Sequence, residues 1–440
     1  MESITLQVHS EDHWHDAMVI SFDSSRDSLR SRCTIHYQPE YLVDQHVQLG
    51  TVKAPAVSAN LPLEWDIRRE PAPAFLHDII PAGAGRRHLL SRMAVPPGMS
   101  IDLFLLQQFA AAPIGHLRIK GATGILHPAE KVTGGFTREE VIQEGMGFLD
   151  QARESGMAIS GALGAGGEAP KVLLVEDASG QLYPEGALDD ADVRRHWFVK
   201  FPRNTATQLD RTILHSEYCF YRALGKLGID TIASDGLTHE AARIPSVWMQ
   251  RFDRTVSLGG VERIAVESMY SLSGVSNRGG CLNHFDVVDR LAETWIAAGQ
   301  ESEIPDMLSE YLRRDLINQS LGNTDNHGGN LSILRGKERV SFAPIYDVAP
   351  RVMDIEGVVR ITRWPTNIER LGSVDWGAVC ARFAHRADPE WLFDRLQADA
   401  RLLLALPDLL QDLGLRQEAW RSPMIPLRCL EDTFRRWKLM

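Results

Sequence analysis

Cysteine is scarce in this chain and scattered: Cys33, Cys219, Cys281, Cys380 and Cys429. No two are neighbours, no Cys-x-x-Cys occurs, and the count is odd. This argues against a disulfide scaffold or a zinc knuckle and fits a reducing compartment. No apolar run reaches about 18 residues, so no membrane-spanning helix is expected. The opening stretch MESITLQVHSEDHWHD has neither a basic start nor an apolar core, which predicts no secretory leader and makes the cytoplasm the expected location. Gly-x-Ser-x-Gly and His-Glu-x-x-His are both missing, which removes two hydrolase signals. Positive charge is in deficit, with 47 Lys and Arg against 58 Asp and Glu and a net charge of -11. Such a balance is a poor basis for gripping nucleic acid directly. Arg435, Arg436 and Lys438 around Trp437 read as the solvated end of a last helix. His9, His13 and His15 read as part of an exposed strand or turn, since no matching ligand set follows.

What is present is ordinary globular material in quantity: 440 residues, 44% hydrophobic and 24% charged, enough for two or three domains. Three regions are expected. Residues 1–135 are mixed α+β, with helices over 86–93 and 101–110, a strand over 114–119 and a linker over 121–135. Residues 136–254 open with a helix reaching about 155, started by the capping box Thr137 and Glu140. A Gly-rich segment follows, then the strand KVLLVED, a turn at Ser179-Gly180, the strand HWFVKF, a helix over 214–227 ended by Gly228, and the strand PSVWMQRF. A Gly-rich turn, a strand with a lone Lys, a helix and another strand make the order of a kinase small lobe. Residues 255–440 are mostly helical, with helices expected at 284–298, 376–384, 388–405 and 415–436. Leu308, Tyr311, Leu312 and Leu316 mark a further apolar helix face. The fold class expected is α+β: a two-lobed protein-kinase-like fold with a mixed N-terminal subdomain and a mostly helical C-terminal lobe.

The segment LGNTDNHGGN carries the central chemical signal. Asp325 and Asn330 stand at the Asp-x-x-x-x-Asn spacing of a kinase catalytic loop. Phosphoryl transfer needs a carboxylate beside the attacking hydroxyl and a neutral oxygen ligand for Mg²⁺ nearby, and one loop supplies both. Asp347, in APIYDVAP, lies where a second carboxylate would chelate Mg²⁺ on the ATP phosphates. Lys200 is flanked by apolar residues in HWFVKF, which points it at something negative, such as the α- and β-phosphates of ATP. Glu217 on the next helix is its candidate partner. Gly161, Gly164, Gly166 and Gly167, ending at Pro170-Lys171, would let backbone N–H groups approach phosphate oxygens. The bland alternatives are a surface turn for 321–330, an edge-strand Lys200 and a flexible Gly-rich linker.

Taken together, GGEAPK, HWFVKFP, HSEYCFYRALGKLGI, MQRFDR, NTDNHGGN and PIYDVAP resemble the HipA family of bacterial toxin kinases. FLHDIIPAGAGRRHLL and PIGHLRI resemble that family's N-terminal subdomain. The resemblance implies ATP- and Mg²⁺-dependent serine/threonine kinase activity. It implies Asp325 as the catalytic aspartate, Asn330 and Asp347 on Mg²⁺, Lys200 on the phosphates, and His327 near the nucleotide. Gln250, Arg251 and Phe252 align with the adenine hinge; the family often has Glu where Gln250 stands. Gly164, Gly166, Gly167 and Lys171 belong to the loop over the phosphates. Seven residues before Lys171 the family usually carries a serine whose autophosphorylation switches the kinase off. Here that position is Gly164, so self-inactivation by that route is not expected, and Ser160 is the nearest hydroxyl. The resemblance further implies an aminoacyl-tRNA synthetase as acceptor and a HipB-like helix-turn-helix antitoxin as partner. Two other readings remain: a small-molecule phosphotransferase with a similar loop, and a non-catalytic nucleotide-binding partner of a DNA-binding antitoxin.

Overall fold

A computed structural model of the chain describes residues 2–122, 134–154, 167–257, 260–277, 279–370 and 372–440. The expected linker falls largely, and the Gly-rich segment through Gly166 entirely, outside the described residues. The chain forms two compact units. One comprises 1–205, 235–276 and 332–343; the other comprises 206–234, 277–331 and 344–440. Mixed α and β content is thus distributed by unit rather than by sequence order.

The first unit is built on antiparallel sheets. In the first sheet Arg68–Pro71, Arg32–Tyr37, His13–Phe22, Glu2–Ser10 and Leu117–Ile119 lie side by side in that order. Alternate residues Ile4, Leu6 and Val8 are buried on one face, as the two-residue repeat of a strand requires. In the second sheet the order is Leu182–Pro184, Lys171–Glu176, Arg195–Lys200, Ser246–Gln250 and Thr238–Glu240. Its central strands are buried on both faces. A third sheet joins Ala265–Ser268, Ser332–Arg335 and Val340–Phe342. The helix Ile101–Phe109 starts where Ser100 accepts from the N–H of Leu103. The helix expected to reach about 155 is interrupted. It runs over Arg138–Glu144, breaks at Gly145 with φ 58°, and resumes as Phe148–Glu154.

The second unit is mainly helical. Gln208–Lys226 begins six residues before the expected 214, because Thr207 and Asp210 form a capping box. Ile304–Ser320 buries Leu308, Tyr311, Leu312 and Leu316 and packs against Pro389–Leu403. Helices His284–Ala297 and Trp376–Arg382 appear within a residue or two of expectation. The continuous helix expected over 415–436 is not formed. Gln417–Trp420 and Leu430–Arg436 are separate, because Pro423 and Pro426 cannot donate to a helical ladder. No helix among the described residues is long and apolar enough to cross a membrane.

Candidate functional site

The helix Ile304–Ser320 delivers the chain to the loop that carries Asp325. Gly322 makes the exit, with φ 66°; a Cβ there would lie 2.8 Å from Cγ1 of Val352. The next residue, Asn323, is buried and acts as a clasp. Its side-chain nitrogen donates to Asn318 at 2.9 Å and to the carbonyl of Asp347 at 3.3 Å, and its oxygen accepts from the N–H of Asp325 at 3.3 Å. The loop spacing alone does not mark Asn323, although it stands two residues before Asp325.

The five-residue step from Asp325 to Asn330 closes on itself. Asn330 donates its side-chain N–H to the carbonyl of Asp325 at 2.8 Å. That leaves the amide oxygen as the atom able to meet a cation. His327 accepts at Nδ1 from the N–H of Gly329 at 3.0 Å. Its ring proton therefore sits on Nε2, 3.5 Å from Oδ1 of Asp325. Tyr346 ties the same loop to the next segment by donating to the carbonyl of Gly329 at 2.9 Å.

Asp347 stands in the left-handed region, at φ 53°, where a side chain with a Cβ is strained. The clasp of Asn323 on its carbonyl helps to hold it there, as does Tyr221, whose hydroxyl accepts from the N–H of Asp347 at 2.7 Å. Tyr221 in turn donates to Glu217 at 2.7 Å. Burial, and then the charges of Glu217 and Asp347, push the Tyr221 phenol well above its ordinary range. The preceding residues are anchored as well, since Thr231 donates to the carbonyl of Ile345 at 2.8 Å.

Arg351 occupies the space between the two aspartates, and no sequence signal singles it out. Its Nε lies 3.8 Å from Asp325 and its Nη2 4.0 Å from Asp347. Burial works against its charge, but Asp347, Glu217, Asp325 and Asp354 outweigh that and hold its pKa above the ordinary value. Behind the loop lies a small open pocket of about 40 Å³, lined among others by Asp315, Asn318, Asn323, Asn326 and Asn330. Asp315 is its hub. It accepts from Arg360 at 2.8 Å, from the Trp364 indole at 2.8 Å and from Gln319 at 2.9 Å. Burial alone would raise its pKa; Arg360 and His284 bring it below the usual carboxylate value.

The other expected site residues belong to the first unit. Lys200 is buried at the end of its strand, directly opposite Lys171 on one neighbour and Val247 on the other. Gly167 has φ 105°, and a Cβ there would lie 2.6 Å from Nζ of Lys171. The carbonyl of Gly167 also accepts from the N–H of Ala84 at 3.2 Å. Gln250 is exposed at the end of its strand and Phe252 is half-buried. Arg251 is committed to a buried ion network, at 2.9 Å from Glu185 and 2.6 Å from Asp253. Gly161, Gly164 and Gly166 lie outside the described residues. Lys200 and its expected partner Glu217 fall in different units. Of the N-terminal histidines, His9 is buried and accepts from Arg263, while His13 and His15 bond nearby carbonyls. Among the described residues no group of three or more His, Cys, Asp or Glu could hold a metal.

HipA of Shewanella oneidensis, solved in a complex described as a toxin–antitoxin system of HipA, HipB and its operator DNA, aligns with this chain with a TM-score of 0.64 and 19% identity. The alignment covers 98% of this chain and 97% of that one. The Helicobacter pylori proinflammatory kinase CtkA gives a TM-score of 0.37 and 14% identity, over 62% of this chain and 89% of that one. No curated protein matches by sequence. The model described as the HipA-like C-terminal domain matches residues 163–401, which is more than half of the chain and includes Asp325, Asn330 and Asp347, so the chain belongs to the HipA family.

Proposed function

We propose that this protein is a HipA-like serine/threonine protein kinase that moves the γ-phosphate of ATP to a protein hydroxyl. One observation carries the reading. A strained Asp347, pinned by Tyr221 and Asn323, stands with Asp325 around one buried arginine. Local strain of about 1–3 kcal/mol persists where surrounding structure over-determines it, and such residues cluster at working sites.

In this reading Asp325 orients the acceptor hydroxyl and takes its proton. The donor set fits a hard divalent ion: a carboxylate on Asp347 and an amide oxygen on Asn330, whose nitrogen is already committed to the Asp325 carbonyl. Bound Mg²⁺ would draw charge from the phosphate oxygens. His327, with its proton on Nε2, would steady the Asp325 carboxylate. Lys200 and Lys171 directly oppose one another on neighbouring strands, and both would reach the phosphates of ATP. Gly164, Gly166 and Gly167 would cover those phosphates, and Gln250 and Phe252 would receive adenine. A HipB-like antitoxin is the proposed partner, by analogy with the Shewanella complex. A translation component such as an aminoacyl-tRNA synthetase is the proposed acceptor.

The test is a phosphoproteome after expression of the wild type and of Asp325→Ala. Phosphoserine or phosphothreonine sites that appear with the wild type should fall by at least about a hundredfold, the usual share of a general base. Equal labelling by the variant would refute the assignment. Label found on sugars or antibiotics instead of protein would move the protein to the small-molecule phosphotransferases.

A further inference from the structure

Two kinds of arginine occur in the second unit. Arg360 and Arg313 make tight pairs, at 2.8 Å to Asp315 and 2.9 Å to Asp399. Arg351 does not. Each of its nitrogens reaches a different carboxylate, at 3.8 Å for Asp325, 4.0 Å for Asp347 and 3.7 Å for Asp354. Its side chain is only 5% exposed. A guanidinium serving only to hold the fold would be expected at hydrogen-bond distance, because leaving it short of partners in a dry site is costly. Loose, shared contact with several carboxylates is the geometry of a common counterion. Glu217 adds to the negative field around it.

We propose that Arg351 is a positioning residue, a tethered counterion that balances Asp325 and Asp347 before a divalent cation arrives and sets how much cation is needed to load the site. This rests on the reading of Asp347 as a metal ligand, which it deepens. With Arg351 in place the two half-buried carboxylates can stand around one guanidinium without metal. The same positive charge repels an incoming cation, so loading is restrained until the cation concentration is sufficient.

A stability cycle without divalent ions tests the balance directly. Arg351→Met should lower the Tm. Asp347→Asn should then cost less, or restore stability, in the Arg351→Met background compared with the wild type, because it removes one of the negative charges that Arg351 faces. Arg351→Lys keeps the charge and should stay close to wild type. An equal effect of Asp347→Asn in both backgrounds would overturn the proposal. If Arg351→Met does not fold, the double variant must; a double variant that is also unfolded overturns it. Loading is read with Mn²⁺ alone, by the resonance signal of the free ion. Arg351→Met should bind it at least about tenfold tighter, the effect of one charge removed several ångströms from a divalent ion even with the screening of water. Arg351→Lys should resemble the wild type, and equal or weaker binding by Arg351→Met goes against the proposal. Failure of the functional reading looks different. Wild type and Asp347→Asn would then take up Mn²⁺ with ATP alike, while the metal-free cycle would still separate coupled from independent effects at Arg351 and Asp347.

Discussion

At the scale of single residues the site depends on backbone conformations that side chains resist. Asp347 at φ 53° occupies a conformation tolerable to Gly and costly to Ala. Asp347→Gly and Asp347→Ala both remove the carboxylate, so both should lose Mg²⁺-dependent nucleotide binding. Asp347→Ala should nonetheless be about 1 kcal/mol less stable than Asp347→Gly in urea unfolding, by the left-handed penalty. Gly322 is constrained twice, by φ 66° and by Val352 and Ile425 against the missing Cβ. Gly322→Ala should cost about 1–3 kcal/mol and displace the loop behind Asp325, which a combined denaturation and transfer assay would register. Tyr221→Phe leaves the half-buried N–H of Asp347 and the buried Glu217 without the hydroxyl they share. It should cost about 1–3 kcal/mol and lower transfer without touching the acceptor.

At the scale of elements, helix ends decide what the site is attached to. Gln208–Lys226 carries Glu217 and Tyr221, and its first turn is satisfied by Thr207 and Asp210, each bonding the other's backbone. Thr207→Ala should cost about 1 kcal/mol. Because Tyr221 lies more than three turns further on, hydrogen exchange should rise in the first turn and not around Tyr221; a uniform rise would mean that the cap governs the whole helix. The same chemistry explains where element boundaries depart from expectation. The pattern Thr207-x-x-Asp210 precedes the apolar periodicity, and the clearer stripe from Leu214 masks it. Pro423 and Pro426 interrupt a long apolar pattern that the backbone cannot follow. The Thr137–Glu140 box is legible in both sequence and structure, since both its members lie within one turn.

For the whole molecule, buried histidines set the response to acid. Burial drives His116 to about 3 and His284 to about 4, from an ordinary value of 6.5. One lies in each unit. Below about 6.5 the unfolded chain takes up protons that these rings refuse in the fold, so unfolding is accompanied by proton uptake. Stability therefore rises with pH between about 4 and 6.5 and is lost as acid is added through that window. The urea midpoint should fall steadily over this range as the pH is lowered, and His284→Gln should give a shallower slope than the wild type. An unchanged slope would remove His284 from the account. HipA-family membership, established over 163–401, makes no demand on this behaviour, which follows from burial first and from the neighbouring arginines Arg335 and Arg360 second.

The sequence by itself determined the family and the local pieces of the candidate site. The step from Asp325 to Asn330 is a property of one loop, and the alternation around Lys200 is a property of one strand. Such features are legible because spacing along the chain fixes their geometry. Only the tertiary structure decided what surrounds them. Tyr221 meets Asp347 from 126 residues away, and Arg351 acquires its meaning from carboxylates of two different segments. No spacing rule announces either contact. A left-handed aspartate likewise leaves no trace in a string of residues, because its conformation is imposed by the partners that hold it rather than preferred by the residue.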